Sequence, residues 1–397
     1  MGMDLSADLR KALRDAMRRA DGCISGGNSA GAAEALAAAS RISFHLAEHA
    51  PSREAEIREK KRAIRLRERA KGLLAGDDSA DENGENAPQS GGDEISALVS
   101  ELIHTSKVTW DQIGGLEETK SEIKYSLGLT LANRPDGVEL AGWRAILFYG
   151  PPGTGKTLLA AATSNAIRTD EKDRAVFFNV KVANVLSKFF GESSKIISEL
   201  YGAARDMSPS IIFLDEFEAL CASRDGADSG PERRILSTIL SELDGLAEKG
   251  RDDLYVLTIA ATNRPWDLDP AILSRFEKKI LIPLPDRDAR EAILDIHLSR
   301  RGIRSKVSME ELAGMTEGFS GRELESFCKQ VIYKMIRERN ESLPEIVDRG
   351  LDAVRSYKIK VRELARADFE DATQAIRPQT SPEDAKRYLE WGTRLDA

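Results

Sequence analysis

The sequence predicts an α/β protein built on a five-stranded parallel β-sheet with helices on both faces. A three-helix hairpin precedes the sheet and a helical small domain follows it. Short apolar runs alternate with helix-length segments from about residue 95 to 283, while no strand-like run occurs in the first 75 residues or beyond Pro285. The length of 397 residues suits two or three domains.

Five apolar runs, rich in β-branched residues, are predicted to form the sheet. They are Ala145–Tyr149, Ala175–Val180, Ser210–Leu214, Leu254–Ala260 and Lys279–Ile282. Strands buried on both faces are typically apolar without alternation, which favours a parallel sheet covered by helices. We therefore predict a large domain over residues 97–284 and a helical small domain over residues 285–397.

The N-terminal region, residues 1–75, is predicted to fold as three helices. Leu9, Leu13 and Met17 recur on one helical stripe, and turn signals lie at 26–28 and 50–52. Residues 76–96 contain an acidic run, 76–94, with seven acids and no basic residue. Such a run cannot bury enough apolar surface to fold, so we expect a flexible linker.

Composition limits the functions that the chain can have. The net charge is −8, which disfavours nucleic acid as a partner. The three cysteines are far apart in the sequence, have no partner at ligand spacing and are expected to be reduced thiols. No run is long and apolar enough for a membrane span. We expect a cytoplasmic protein that reaches membranes only indirectly, through its substrate.

A complete phosphate-binding loop lies between the first predicted strand and an apolar helix start. The run from Gly150 to Thr157 reads Gly-Pro-Pro-Gly-Thr-Gly-Lys-Thr, and this context is the one that a P-loop requires. Lys156 would reach the β- and γ-phosphates of ATP, and Thr157 would ligate Mg²⁺. The residues predicted to hold the nucleotide are Pro152, Gly153, Thr154, Gly155, Lys156, Thr157 and Leu158.

Polar residues follow two later strands and complete the expected chemistry. Asp215 ends an apolar strand and would hold Mg²⁺, while Glu216 would act as the general base for the attacking water. Asn263 follows the next strand and could hydrogen-bond the γ-phosphate or that water. The predicted fold is thus an α/β P-loop NTPase.

Several motifs in this order resemble the AAA ATPases (AAA+ type), and more narrowly their meiotic clade. That clade includes katanin, spastin, fidgetin and the vacuolar-protein-sorting ATPase that disassembles ESCRT-III polymers. The resemblance is carried by Trp110–Leu116, the P-loop, Lys188–Ser193, Phe213–Glu216, Ala261–Asp269, Arg275–Lys279 and Ile282–Asp286. It covers about three quarters of the chain.

The resemblance implies a homohexameric ring with active sites between subunits. Ile113 and Gly114 would contact the adenine, and Arg275 would be an arginine finger that reaches the neighbouring subunit's γ-phosphate. The clade usually has two consecutive arginines here, but this chain has Ser274 before Arg275. We hypothesise that Arg322, at the start of a helix with a Ser320–Glu323 capping box, acts as a sensor in cis. A solvated arginine is the alternative.

The resemblance also implies a pore that threads polypeptide. Lys188, Phe189 and Phe190 match the first pore loop, where an aromatic side chain can grip extended chain without sequence specificity. Residues around Tyr388–Trp391 resemble the clade's C-terminal helix, which packs back on the large domain. The stretch 341–362 looks too short for the activator-docking insertion of the ESCRT-III-disassembling member.

The N-terminal hairpin resembles a microtubule-interacting-and-trafficking (MIT) domain by its length, pattern and position. Its third helix is basic, which suits an acidic helical tail on a substrate, although a plain solvated face is the alternative. The resemblance favours an ATP-driven translocase that disassembles protein polymers such as ESCRT-III-like filaments. Katanin- or spastin-like microtubule severing and a slow ATP-switched assembly scaffold are the alternatives.

Overall fold

The computed structural model describes most of the chain. The described residues are 5–48, 59, 62–63, 65–67, 69–70, 72–73, 95, 98–99, 102–104, 108–132, 142–167, 175–188, 192–220, 230–248 and 255–394. Within these ranges, no helix combines the length and apolar character that crossing a bilayer requires.

A mixed six-stranded sheet forms the centre of the large domain. Its strands are β1 (Ile103–His104), β2 (Ala145–Tyr149), β3 (Val176–Lys181), β4 (Ser210–Asp215), β5 (Val256–Thr262) and β6 (Lys278–Leu281). The spatial order is β1-β3-β4-β5-β2-β6. All neighbours pair in parallel except β1, which pairs with β3 in the antiparallel direction.

The five predicted parallel strands are confirmed, but the prediction of a purely five-stranded sheet is wrong. The sixth strand, β1, has two residues, which is too short to give a periodic apolar signal. β2 has the predicted bounds, and the bounds of the other four predicted strands agree with the prediction to within two residues, as is usual for element boundaries.

The sheet separates two apolar cores because side chains along a strand alternate between its faces. On β2, Ala145 and Leu147 face one core, while Ile146 and Phe148 face the other. All five residues of β2 are buried. The strand that leads into the P-loop is therefore held on both faces, which fixes the position of the loop.

Helices surround the sheet. In the large domain they are α3 (Glu117–Leu131), α4 (Lys156–Ala166), α5 (Val182–Lys188), α6 (Ser193–Asp206), α7 (Gly230–Glu248) and the short α8 (Pro270–Leu273), with α1 (Leu5–Ser25) and α2 (Ser29–Glu48) in the N-terminal region. Short 3₁₀ turns occur at Trp110–Gln112, Phe217–Leu220, Pro265–Asp267 and Ser299–Arg301.

The C-terminal region is helical, as predicted. Its helices are α9 (Arg287–His297), α10 (Met309–Met315), α11 (Gly321–Arg339), α12 (Leu343–Asp348), α13 (Leu351–Ser356), α14 (Arg366–Ala375) and α15 (Pro382–Thr393). Phe327 on α11 and Phe369 on α14 are fully buried in one core. The predicted capping box at the start of α11 is confirmed, since Ser320 and Glu323 bond each other's backbone N–H.

The N-terminal region begins with two antiparallel helices. α1 ends at Ser25 and α2 begins at Ser29, as the turn signal predicted. The described residues between 59 and 73 are also helical, whereas the second predicted turn lies outside the described residues. Arg67 is buried and forms ion pairs with Glu199, in the middle of α6, and Asp206, at its end. The N-terminal region therefore contacts the large domain.

Two of the three cysteines are described, and both carry free thiols. Burial raises the pKa of the Cys328 thiol to about 12, so this side chain behaves as a small apolar core residue. Cys221 lies outside the described residues.

Candidate active site

The carboxyl ends of three neighbouring strands bring the predicted catalytic groups together. β4, β5 and β2 are adjacent and parallel, so their C-terminal ends meet at one edge of the sheet. β2 leads into the P-loop, β4 ends at Asp215, and β5 is followed by Asn263. This edge is where open parallel sheets typically bind ligands.

The P-loop has the backbone conformation of a phosphate cradle. Gly153 and Gly155 have φ angles of 78° and 97°, in the left-handed region that glycine adopts without a steric cost. The loop runs directly into α4, which begins at Lys156. Unpaired N–H groups at the start of this helix, together with the helix dipole, favour a bound anion.

Lys156 is buried within the loop. Its ammonium donates to the carbonyl oxygens of Gly150, at 2.8 Å, and Pro151, at 2.7 Å. Burial, with a smaller contribution from the nearby Arg322, lowers the pKa of Lys156 to about 8 against the opposing effect of the carboxylates of Asp215 and Glu218. A buried cation at the opening of a phosphate cradle fits a polyanionic ligand.

The two predicted metal ligands lie next to each other. The hydroxyl of Thr157 donates to Oδ2 of Asp215 at 3.3 Å. A hydroxyl and a carboxylate beside a phosphate cradle are oxygen ligands of the kind that Mg²⁺ prefers, and few protein ligands suffice because Mg²⁺ keeps several waters. These residues therefore fit the group that the sequence implied.

Glu216 has an unusual backbone conformation. Its φ angle is 55°, and its N–H donates to Oδ1 of the preceding Asp215 at 3.0 Å. A left-handed conformation at a residue other than glycine costs about 1–2 kcal/mol and is concentrated at functional sites. The side chain is exposed, which leaves it accessible to a water molecule.

Asn263 is held by two side chains that sequence analysis did not assign to the site. Its backbone N–H donates to Oε1 of Glu218 at 3.3 Å, and its carbonyl oxygen accepts from the Tyr388 hydroxyl at 2.6 Å. Glu218 lies three residues after Asp215, so its proximity to the site could have been noticed. The contact with Tyr388, 125 residues away, has no local sequence signal.

The small domain contacts the P-loop through the start of α11. The N–H of Arg322 donates to the carbonyl oxygen of Gly153 at 3.0 Å. A cavity of about 290 Å³ lies between the loop and the small domain. It is lined by Pro152, Gly153, Ser320, Arg322, Glu323, Ser326, Ala375, Ile376, Arg377 and Gln379. Arg322 thus lies near the predicted phosphate position.

Ile113 and Gly114 lie where the chain enters the large domain, next to the small domain. The carbonyl oxygen of Ile113 accepts from the ammonium of Lys120 at 2.6 Å. Gly114 lies so close to α9 that a Cβ atom on it would be 2.7 Å from Ile293. The backbone of this segment therefore lies at the junction of the two domains.

Arg275 is not among the groups that meet at the P-loop. Its guanidinium donates to both carboxylate oxygens of Asp244, at 2.9 and 3.3 Å. It also donates to the hydroxyl of Ser274 at 3.1 Å. The Arg275 side chain is 38% exposed, so it can reach a second molecule. Ser274, which occupies the position of an expected arginine, contacts the arginine that remains.

The predicted pore residues are only partly described. Lys188 ends α5, and the structure describes its backbone but not its side chain. Phe189 and Phe190 lie outside the described residues. Their predicted role is therefore untested.

The fold and this edge of the sheet define a P-loop nucleotide hydrolase. The comparisons with known proteins agree. Residues 146–284 match the family described as "ATPase family associated with various cellular activities (AAA)", and residues 306–346 match the AAA+ lid domain. We call the C-terminal helical region, α9 to α15, the lid from here on.

Curated relatives share much of this chain. It is 38% identical over 302 residues to a cell division cycle protein 48 homolog of Archaeoglobus fulgidus, which covers 74% of this chain and 39% of that protein. Katanin p60 ATPase-containing subunit A1 of Arabidopsis thaliana is 34% identical over 324 residues, which cover 79% of this chain and 60% of that protein. Spastin of Naegleria gruberi is 33% identical over 301 residues, which cover 75% of this chain and 54% of that protein. The chain thus spans less than two thirds of the length of each relative.

Solved structures give the same family. The AAA domain of FIGL-1 in complex with ADP superimposes with a TM-score of 0.62 at 28% identity, covering 78% of this chain and 99% of that chain. A structure solved to explain katanin self-assembly superimposes with a TM-score of 0.58 at 30% identity. The match covers 78% of this chain and 99% of that chain. The chain belongs to the AAA ATPase family, and it is an ATPase. Its homologues include katanin, spastin and fidgetin-like proteins, which confirms the resemblance.

Close packing of the P-loop against the lid gives a first prediction. A Cβ atom on Gly153 would lie 2.8 Å from the Ser320 hydroxyl and 3.0 Å from Cβ of Arg322, whereas one on Gly155 would meet nothing within 4 Å. Both residues have positive φ, so Gly155→Ala should cost about 1 kcal/mol of unfolding free energy from backbone strain alone. Gly153→Ala should cost about 1 kcal/mol more, because the lid must also shift.

Chemical denaturation of the two nucleotide-free variants checks this prediction. Gly155→Ala is the matched control, since it introduces the same methyl group in the same loop. Equal losses for the two variants would show that the lid does not pack on Gly153.

Proposed function

We propose that this ATPase works as a homohexameric protein translocase, which disassembles protein polymers by threading polypeptide through a central pore. The observation that supports the proposal best is the separation of Arg275 from the other catalytic groups. The P-loop, Asp215 and Asn263 meet at one edge of the sheet, while Arg275 is exposed and pairs with Asp244 elsewhere. An exposed cation on one subunit and an acceptor site on the next would make hydrolysis depend on assembly.

Each group in the site has a proposed task. Lys156 binds the β- and γ-phosphates, and Ile113 and Gly114 contact the adenine. Thr157 and Asp215 hold Mg²⁺, which when bound neutralises charge on the phosphate oxygens. Glu216 takes the proton of the attacking water, and Asn263 orients that water or the γ-phosphate. Arg275 stabilises the transferred phosphate of the neighbouring subunit.

The geometry around Arg275 supports a single arginine finger. Ser274 and Asp244 both bond the guanidinium, so the side chain is held in one orientation before a neighbour arrives. Ser274 therefore helps to orient the Arg275 guanidinium, whereas a second arginine at position 274 would supply a positive charge. Slower turnover than in a two-finger relative is the expected consequence.

The proposed substrate is an ESCRT-III-like protein filament. Residues 1–75 would act as an MIT-like module that binds acidic helical tails, and the acidic linker would carry these tails toward the pore. The protein would act in the cytoplasm and reach membranes only through this substrate. The ion pairs between Arg67 and α6 add a contact by which the module can rest on the ATPase domain.

Microtubule severing is the second candidate function. It is favoured by the katanin and spastin relatives, which match across three quarters or more of this chain. A slow ATP-switched assembly scaffold is the third, and it is the function that a weakened arginine finger would favour. The three candidates predict different results when hydrolysis or the pore is disabled.

A Glu216→Gln variant should bind ATP without hydrolysing it, because the amide cannot accept the proton of the attacking water. With ATP it should form stable hexamers that retain substrate, measured by native mass spectrometry and co-sedimentation with ESCRT-III-like filaments or microtubules. Lys156→Ala is the control, since it should not bind ATP and should form no ring. A monomeric Glu216→Gln variant under saturating ATP would contradict the shared active site.

A Phe189→Ala variant tests threading. Loss of the gripping ring should leave ATP turnover within about twofold and reduce filament disassembly at least about tenfold, since apolar contact with the translocated chain is lost. Light scattering of filaments and phosphate release measure the two activities. Tyr125→Ala, which removes an exposed aromatic ring on α3, is the control. Normal disassembly by Phe189→Ala would exclude threading and favour the scaffold.

Arg322 is proposed to sense the γ-phosphate in cis. Arg322→Ala should lower ATP affinity and turnover by about tenfold, which is the usual size of one charge-assisted hydrogen bond. Nucleotide titration and steady-state kinetics measure both quantities. Arg337→Ala, on the exposed end of the same helix, is the control. Unchanged affinity and turnover would identify Arg322 as a solvated arginine.

A further inference from the structure

The last helix, α15, lies against two of the strands that carry the active site. The Trp391 ring packs edge-on against the Tyr149 ring with centroids 4.6 Å apart. Tyr149 is the last residue of β2, directly before the P-loop. A Cβ atom on Gly392 would lie 2.4 Å from the Tyr149 hydroxyl, so this approach tolerates no side chain at position 392.

α15 also covers the turn after β5. The guanidinium of Arg387 lies 3.6 Å from the centre of the Trp266 ring, and the Tyr388 ring lies 5.0 Å from that ring. Trp266 belongs to the 3₁₀ turn that begins two residues after Asn263. Aromatic and cation–π contacts thus fix the helix directly above the end of β5.

Between these contacts, the backbone of Asn263 is held on both sides. Tyr388 donates its hydroxyl to the Asn263 carbonyl at 2.6 Å, and Glu218 accepts the Asn263 N–H at 3.3 Å. β5 ends at Thr262, whose ladder partner is Tyr149. Asn263 is therefore the first residue beyond the β-ladder. Its backbone N–H and carbonyl bond the side chains of Glu218 and Tyr388 instead of a neighbouring strand.

The surroundings of Tyr388 and Glu218 favour persistent hydrogen bonds to the Asn263 backbone. Tyr388 is 5% exposed, and burial raises the pKa of its hydroxyl to about 12, so it remains a donor at neutral pH. Glu218 is partly buried, and its second carboxylate oxygen is fully buried without a hydrogen-bond partner among the described residues. Polar groups in such surroundings are costly to leave unpaired, which favours retention of the bond to Asn263.

We propose that Tyr388 and Glu218 are positioning residues that fix the direction of the Asn263 side chain toward the γ-phosphate or the attacking water. The inference rests on the proposed role of Asn263. It adds that a residue on the C-terminal helix, 125 positions away, sets the geometry of that group. Catalytic groups must be held within about 0.5 Å of their productive position, and rotation of one peptide plane exceeds that limit.

The hydroxyl of Tyr388 can be removed without disturbing the packing of its ring. Tyr388→Phe should lower kcat about fivefold, the effect of one neutral hydrogen bond, with the KM for ATP nearly unchanged. The unpaired Asn263 carbonyl should lower the melting temperature by only about 2–4 °C. Tyr333→Phe removes the same hydroxyl from an exposed ring on α11 and should change nothing. ATP turnover by the 397-residue chain, at a protein concentration high enough for maximal activity per subunit, measures the effect.

A double-mutant cycle then separates positioning from a general structural effect. In an Asn263→Ala background there is no amide side chain to orient, so Tyr388→Phe should cause no further loss of kcat. An equal fivefold loss in both backgrounds would overturn the inference, as would full activity of Tyr388→Phe. Wild-type turnover by Asn263→Ala alone would instead refute the proposed role of Asn263, and the inference would fall with it.

The peptide group that precedes Asn263, whose N–H bonds Glu218, gives an independent test. Glu218→Gln keeps an oxygen that can accept the Asn263 N–H and should retain most of kcat, whereas Glu218→Ala should lose about fivefold. The loss in Glu218→Ala should likewise vanish in the Asn263→Ala background. A loss for Glu218→Gln equal to that for Glu218→Ala would show that the charge matters and not the bond to Asn263.

Discussion

Parallel pairing of β4, β5 and β2 is the constraint on which the active site depends. The carboxyl ends of parallel strands lie at the same edge of the sheet, so the P-loop, Asp215 and Asn263 lie close together because of the strand pairing alone. The register aligns Tyr149 with Thr262, and it places Asp215 one strand further along the same edge. Burial of β2 on both faces fixes this edge against the two cores. Glu216 then adopts a strained conformation that the surrounding sheet can support.

In the proposed hexamer, a neighbouring subunit completes the same edge. Lys156, Thr157 and Asp215 lie where a polyanion and a cation would bind, but Arg275 pairs with Asp244 on another part of the surface. An arginine held by a carboxylate and by Ser274 keeps its orientation while it is solvent-accessible. Assembly would exchange one partner of this guanidinium for another, which links turnover to the presence of a neighbour.

Much of this architecture could be predicted from the sequence, because its signals are local. The P-loop and the apolar run before Asp215 are continuous stretches of chain, and the Ser320–Glu323 capping box spans four residues. Groups that depend on long-range packing could not be predicted. β1 is too short to have a pattern, and Arg67 reaches α6 across more than 130 residues. The pairing of Arg275 with Asp244 likewise has no periodic signal.

The C-terminal helix shows how such long-range contacts change the interpretation of the site. The resemblance predicted that α15 packs back on the large domain, and the Tyr149–Trp391 contact confirms this. The contact is not general packing, since Tyr388 bonds the backbone of the residue that follows β5. α15 is the last helix of the lid, so a movement of the lid would also move the Tyr388 hydroxyl that holds the Asn263 backbone. Under the proposed role of Asn263, lid position would then alter catalytic geometry within one subunit, separately from the proposed arginine finger, Arg275.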